Sequence, residues 1–164
     1  MADYNSFGEF AAALQRAYDG IDVAVEQAVR SNIDDLLKNI RLRVSGSGKK
    51  ADGGSFSTPY SRSHAYKRKK YGHGSLGQQV GYKGFYYQGT LWDNFRMLNL
   101  INSKQNVKAV LGFAGNNAYL SNERINEIQS SREGIPIAAA NKKEGQEFVK
   151  NIGFAIGEYL KSVL

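Results

Sequence analysis

The 164-residue chain contains no cysteine and only two histidines, His64 and His73. Without cysteine it has no disulfide and no thiolate ligand for a metal, and this composition fits a reducing compartment. Both histidines lie in a stretch where Asp52 is the one carboxylate between Asp35 and Asp93. A metal site needs several converging ligands, so we expect no metal and no cofactor.

Long apolar runs are also missing. No stretch approaches the ~20 apolar residues of a membrane-spanning helix, and the N-terminus lacks the basic and apolar regions of a signal peptide. The length suits one domain. We therefore expect a single soluble domain over residues 1–164, with no membrane partner.

Acidic residues are scarce in the middle of the chain. Residues 1–40 carry a net charge of −4, residues 41–110 carry +11, and residues 111–164 are balanced, which gives +7 overall. A segregated field of this kind steers association with an acidic partner, either nucleic acid or another protein. It also allows copies of the chain to meet acidic face to basic face.

Apolar residues recur every three or four positions from Phe7 to Val44, which predicts a helical region with one apolar stripe. An interior glycine costs about 1 kcal/mol relative to alanine. We therefore predict a short first helix, a kink or break near Asp19–Gly20, and a long second helix to about Arg43. Core packing is the main interpretation of the stripe, and contact with a neighbouring subunit is the alternative.

Residues 45–90 lose this periodicity and are rich in Gly, Ser, Lys, Arg and Tyr. Ten of the 18 glycines lie between Gly46 and Gly89, which disfavours helix and strand interiors. Loops longer than ~12–15 residues are usually functional or disordered. We predict a long, mobile basic loop with a short helix near 61–70. Its candidate partner-binding residues are Lys49, Lys50, Tyr60, Arg62, Tyr66, Lys67, Arg68, Lys69, Lys70, Tyr86 and Tyr87.

The pattern turns to strand from Thr90 to Phe113. A polar turn at 102–106 separates two apolar runs, which predicts an antiparallel hairpin. Because a lone hairpin is marginally stable, we expect it to pack on the long helix and to pair with more strand. A short helix is predicted over Asn116–Gln129, with Tyr119 among its inward residues.

The last part of the chain predicts a C-terminal helix. Asn141 and Glu144 have the spacing of a capping box, and apolar residues recur at helical spacing almost to Leu164. Gly153 and Gly157 would allow close packing against another element. The predicted fold class is α+β, with the N-terminal helical region and the C-terminal helix packed on a small antiparallel sheet.

The residues alone leave the role of the basic loop open. Nucleic-acid binding is one interpretation, because cations neutralise phosphates and aromatic residues stack on bases. Protein binding is the second, because the same mixture is common at protein interfaces. A solvated loop without a partner is the third. Gly72–Gly77 matches G-x-G-x-x-G but lacks the strand before it and the helix after it. His64 and His73 are candidates for a metal-free nuclease, although solvated histidines are the ordinary interpretation. We expect no catalytic residue.

Four segments give the chain a recognisable order: the N-terminal helical region, Phe56–Ser61 with the basic run to Gly72, Gln88–Asn94, and Arg132–Ile137. Together they resemble the tail-completion and head–tail joining proteins of tailed bacteriophages, the virion morphogenesis family. Gln88–Asn94 is similar to the family's Thr-Gly-x-Leu-x-x-Ser, with Gln in the first position and Asn in the last. The family-like positions in it are Gly89, Leu91, Trp92 and Asn94.

The resemblance implies a non-enzymatic structural protein that forms a ring, often six-fold, at the virion neck after assembly in the host cytoplasm. It implies three partners: other copies of the chain, the head connector and the tail tube proteins. The basic loop would be an assembly element that contacts acidic connector surfaces or DNA in the lumen. Leu91 and Trp92 are expected to pin the end of the loop to the core. The alternative function is a small basic nucleic-acid-binding protein.

Overall fold

A computed structural model describes Tyr4 and residues 6–56, 90–103, 106–116 and 121–164. These residues form an α+β fold, as the sequence predicts. The elements in chain order are helix α1 (Phe7–Arg41), a π-helical turn (Leu42–Gly46), the short helix α2 (Thr90–Asp93), strands β1 (Phe95–Ser103) and β2 (Asn106–Phe113), and helices α3 (Asn122–Glu133) and α4 (Lys142–Val163).

Helix α1 is continuous over 35 residues, so of the predicted kink or break at Asp19–Gly20 the break is wrong. Gly20 is instead the position where α4 approaches most closely. A Cβ atom at Gly20 would lie 2.0 Å from the hydroxyl oxygen of Tyr159. That hydroxyl donates to the carbonyl oxygens of Arg16 and Ala17, each at 3.4 Å. The missing side chain therefore makes room for a helix–helix contact, which offsets the helix cost of glycine.

Small residues on α1 face the last helix. Ala13, Ala17 and Ala28 are buried in the helix pair that α1 forms with α4. The glycines of α4 do not contribute in the way the sequence suggests, since a Cβ atom at Gly153 or Gly157 would meet no atom within 4 Å. The close approach of the two helices is thus provided by α1.

The hairpin is confirmed, with Phe95 opposite Phe113 and Ser103 opposite Asn106. Among the described residues no third strand joins it. The hairpin packs on α1, and the Asn102 side-chain amide donates to Glu26 Oε2 at 3.1 Å. Hydrogen bonds from Arg30 and then Asn102 hold the pKa of Glu26 below its ordinary value.

The hydrophobic core lies at the C-terminal end of α1. The rings of Trp92, Phe95 and Phe113 contact one another, with centroids 4.9–5.4 Å apart. The remaining buried members are Ile33, Leu36, Leu37, Ile40, Val44, Phe56 and Ile137. Because this cluster uses only the second half of α1, the first half extends beyond the core.

The strand predicted from Thr90 begins later, since Thr90–Asp93 is helical.

Helix α3 begins later than the predicted Asn116–Gln129, because the hydroxyl of Ser121 caps it by accepting from the Arg124 N–H at 3.1 Å. Gly134 ends it in the left-handed conformation, at φ 72°. The predicted capping box of α4 is confirmed.

Tyr119, which was predicted to face inward from the helix over Asn116–Gln129, lies outside the described residues. Within the described ranges, no helix combines the length and apolarity that crossing a membrane requires.

Replacing Gly20 by alanine should destabilise the protein, although alanine is the better helix former. The new methyl group would occupy the position of the Tyr159 hydroxyl, and we expect the free energy of unfolding to fall by about 1–3 kcal/mol. Gly153→Ala is the matched control, because its methyl group meets no atom within 4 Å and should stabilise by about 0.4–1 kcal/mol. Urea unfolding followed by circular dichroism measures both. Equal effects would contradict the contact between Gly20 and Tyr159.

Candidate interaction surface and the base of the basic segment

Most of the candidate partner-binding residues lie in the stretch 57–89, which we call the basic segment and which is outside the described residues. It holds six Lys or Arg, seven aromatic residues and no acid. The helix predicted near 61–70 is also outside. The candidate residues in this position are Tyr60, Arg62, His64, Tyr66, Lys67, Arg68, Lys69, Lys70, His73, Tyr86, Tyr87 and Gly89.

The chain before the basic segment is ordered by its own hydrogen bonds. Lys49 and Ser55 form an antiparallel bridge, and the Lys50 N–H donates to the Gly54 carbonyl at 2.7 Å. Phe56 then lies buried in the core. The loop predicted from Ser45 onwards therefore has a folded start, and residues 45–56 belong to the scaffold.

Arg43 holds this region together. Its Nε donates to Glu144 Oε1 at 2.8 Å, and its two terminal nitrogens donate to the carbonyl oxygens of Lys49, at 2.8 Å, and Ala139, at 2.5 Å. The other oxygen of Glu144 accepts from the Asn141 N–H at 2.8 Å. Only 10% of the Arg43 side chain and 9% of the Glu144 side chain are exposed. The pair is thus buried and hydrogen-bonded on both sides, as a buried charge requires.

Lys50 contributes to the scaffold rather than to a partner-binding surface. Its Nζ donates to the carbonyl oxygen of Glu133 at 3.2 Å and lies 3.5 Å from that residue's Oε2. The Lys50 side chain is only 13% exposed. It thereby satisfies a carbonyl in the last turn of α3. Lys49 is exposed, and its Nζ donates to Ser55 Oγ at 3.0 Å, so it remains a candidate for partner binding.

The chain after the basic segment returns to the same core. Trp92 is buried, and Leu91 packs against the cluster that contains both Trp92 and Phe56. Leu91 and Trp92, which were expected to pin the end of the loop, are thus found at the core. One rigid cluster therefore holds both ends of the basic segment.

Asn94, the last of the family-like positions, lies where the hairpin meets α3. Its carbonyl oxygen accepts from the Ala114 N–H at 2.9 Å. The Asn122 side-chain amide donates to the Ala114 carbonyl at 2.7 Å. Gly115 follows with φ 74°, a conformation that favours glycine. Asn94 therefore helps to fix the base of the hairpin.

The first half of α1 carries a surface that sequence reasoning assigned mainly to the core. Phe7, Phe10, Leu14 and Tyr18 are 84%, 39%, 45% and 71% exposed. We call these four residues the apolar stripe, since their spacing places them on one side of the helix. Their periodicity matches that of the buried residues of α1, so the sequence pattern cannot distinguish the two halves.

Among the described side chains, no group of three or more His, Asp or Glu is placed to hold a metal ion. Comparison of the chain with protein-family models, with curated proteins and with solved structures gives no match. Support for a function therefore comes from the residues, the geometry of the scaffold and the four segments that resemble the virion morphogenesis family.

Replacing Arg43 by alanine should lower the free energy of unfolding by about 3–5 kcal/mol, because it leaves the buried Glu144 carboxylate without its cation. Arg124→Ala is the control. It breaks a pair of similar length, 2.7 Å to Glu127, whose side chains are 61% and 53% exposed. The control should cost under about 1 kcal/mol. Chemical denaturation of the two variants makes the comparison, and similar losses would show that the Arg43 pair does not stabilise the scaffold.

Proposed function

We propose that this chain is a structural assembly protein of a tailed phage. It forms a ring at the head–tail junction, ends the growth of the tail tube and docks the tube to the head connector. The folded residues are the scaffold, and the basic segment is the element that contacts neighbouring proteins. The role is not enzymatic.

The observation that supports this proposal best is the shared anchoring of Phe56 and Trp92 in one buried cluster. A segment of 33 residues fixed at both ends starts and finishes at a defined point on the scaffold. Its docking loses less conformational freedom than that of a dangling tail of the same length. An anchored segment suits an assembly element that must find neighbours in a fixed geometry.

Composition supports a protein partner for this segment. Tyrosine and arginine are enriched at the centres of protein interfaces, where they contribute a large share of the binding energy. The net charge of −4 on residues 1–40 and +11 on residues 41–110 favours head-to-tail contact between copies, which is the kind of contact that closes a ring. The four segments that resemble the virion morphogenesis family point the same way.

Nucleic-acid binding is the second candidate, and the six cations of the basic segment favour it. The exposed apolar stripe on α1 argues for the first. Exposed groups of large apolar side chains mark protein or membrane contacts, whereas phosphate neutralisation makes no use of them. We therefore place protein assembly ahead of nucleic-acid binding.

Replacing residues 57–89 by a short Gly/Ser linker should leave the scaffold folded and abolish incorporation into particles. Lys50, Phe56 and Trp92 are retained in this variant because they belong to the fold. Circular dichroism checks the fold, and complementation of a phage that lacks the protein measures incorporation. Lys142→Gln with Lys143→Gln removes two exposed cations of α4 as a control and should assemble normally. Normal particles from the linker variant would exclude the assembly role of the segment.

A further inference from the structure

We infer, on the basis of the proposed function, that the first half of α1 is a docking surface and that its occupant is the basic segment of a second copy of the chain. The surface consists of the apolar stripe and Asp22, which follows it on the same helix. Both are described by the structure, and both lie outside the hydrophobic core.

The apolar stripe is held in place by α4, and among the described residues no element covers its outer side. Ala13, Ala17 and Gly20 pack α1 against α4, and the Tyr4 hydroxyl donates to the carbonyl of Leu164 at the end of α4. At 3.6 residues per turn, the stripe occupies an arc of about 80°. Phe7 and Tyr18 are largely exposed and Leu14 is 45% exposed, while the ring of Phe10 contacts that of Tyr4. A rigid apolar arc of this kind marks an interaction site.

Acidic residues make this part of α1 negatively charged. Residues 7–30 hold four acids, Glu9, Asp19, Asp22 and Glu26, against two cations, Arg16 and Arg30, and Arg30 pairs with Glu26 at 2.8 Å. Asp22 follows Tyr18 by four positions, so it continues the line of the stripe by one helical turn. An aromatic and acidic surface repels a phosphate chain and attracts a segment that is both aromatic and basic.

The basic segment matches this surface in both respects. Its six Lys or Arg pair with the acids, and its seven aromatic residues suit the apolar stripe, while it carries no acid that would be repelled. Residues 111–164, in comparison, hold equal numbers of acids and cations.

Geometry favours a second copy over the same chain. The basic segment begins and ends at the core near Ile40, and Leu14 lies about 40 Å away along α1 at 1.5 Å per residue. A segment of 33 residues that must return to its origin reaches ~55 Å at most, when fully extended. If the segment docked on the stripe of its own chain, most of its residues would be needed to span the distance from the core to Leu14 and back. A neighbour lying head to tail brings its stripe close to the segment.

A charge exchange between two full-length variants tests this pairing. Asp22→Lys places a cation beside the apolar stripe, and Lys69→Glu with Lys70→Glu replaces two cations of the segment by acids. Each variant alone should self-associate at least about tenfold more weakly than the wild type, because the charges at the contact then attract less or repel. An equimolar mixture should recover association, since each copy then complements the other. Sedimentation velocity at about 50 mM salt, where screening is weak, measures all three.

Leu14→Lys and Val23→Lys are a matched pair for the apolar stripe. Both positions are exposed on α1, at 45% and 57%, but Val23 lies on about the opposite side of the helix. Leu14→Lys should weaken association at least about tenfold, and Val23→Lys should leave it unchanged. Three results would overturn the docking surface. They are equal effects of Leu14→Lys and Val23→Lys on association, a mixture that associates no more strongly than either charge variant alone, and a wild type that stays monomeric. Location of the protein at the neck is measured independently, so the proposed function could survive that result.

Discussion

The scaffold depends on the ion pair between Arg43 and Glu144. Burying the two charges removes their hydration, which costs free energy. The structure offsets that cost with hydrogen bonds: the guanidinium donates to two carbonyl oxygens, and the carboxylate accepts from a backbone N–H. These bonds join the π-helical turn after α1, the turn at Lys49, the stretch at Ala139 and the start of α4. Phe56 follows that turn into the core, so the pair also determines where the basic segment leaves the scaffold.

Helix α1 divides into two halves with different tasks. Its second half forms the core with Trp92, Phe95 and Phe113, and its first half projects beyond the core beside α4, with Asn102 of the hairpin donating to the Asp22 carbonyl at 3.1 Å. The projecting half is acidic and partly apolar, and the basic segment starts from the opposite end of the helix. In the proposed pairing, the apolar stripe at Leu14 and the core near Ile40, from which the basic segment starts, lie about 40 Å apart along α1, an arrangement suited to head-to-tail assembly.

Local signals predicted much of the fold, and contacts between distant residues explain the errors. The hairpin and the capping box at Asn141 depend on neighbouring residues, so the sequence was sufficient for them. The continuity of α1 at Gly20 depends on Tyr159, and the burial of Lys50 depends on Glu133, 83 residues away. Periodicity cannot report what covers a helix, which is why the apolar stripe was assigned mainly to the core. Most of the candidate site lies in residues 57–89 and stays a prediction.

The most direct test of the central claim is the location of the protein on intact particles. Antibodies against the chain, bound to tailed particles from the source culture and imaged by electron microscopy, give that location. The proposed assembly role predicts label at the neck, between head and tail. Intact tailed particles without label at the neck would contradict it and would make nucleic-acid binding the leading function.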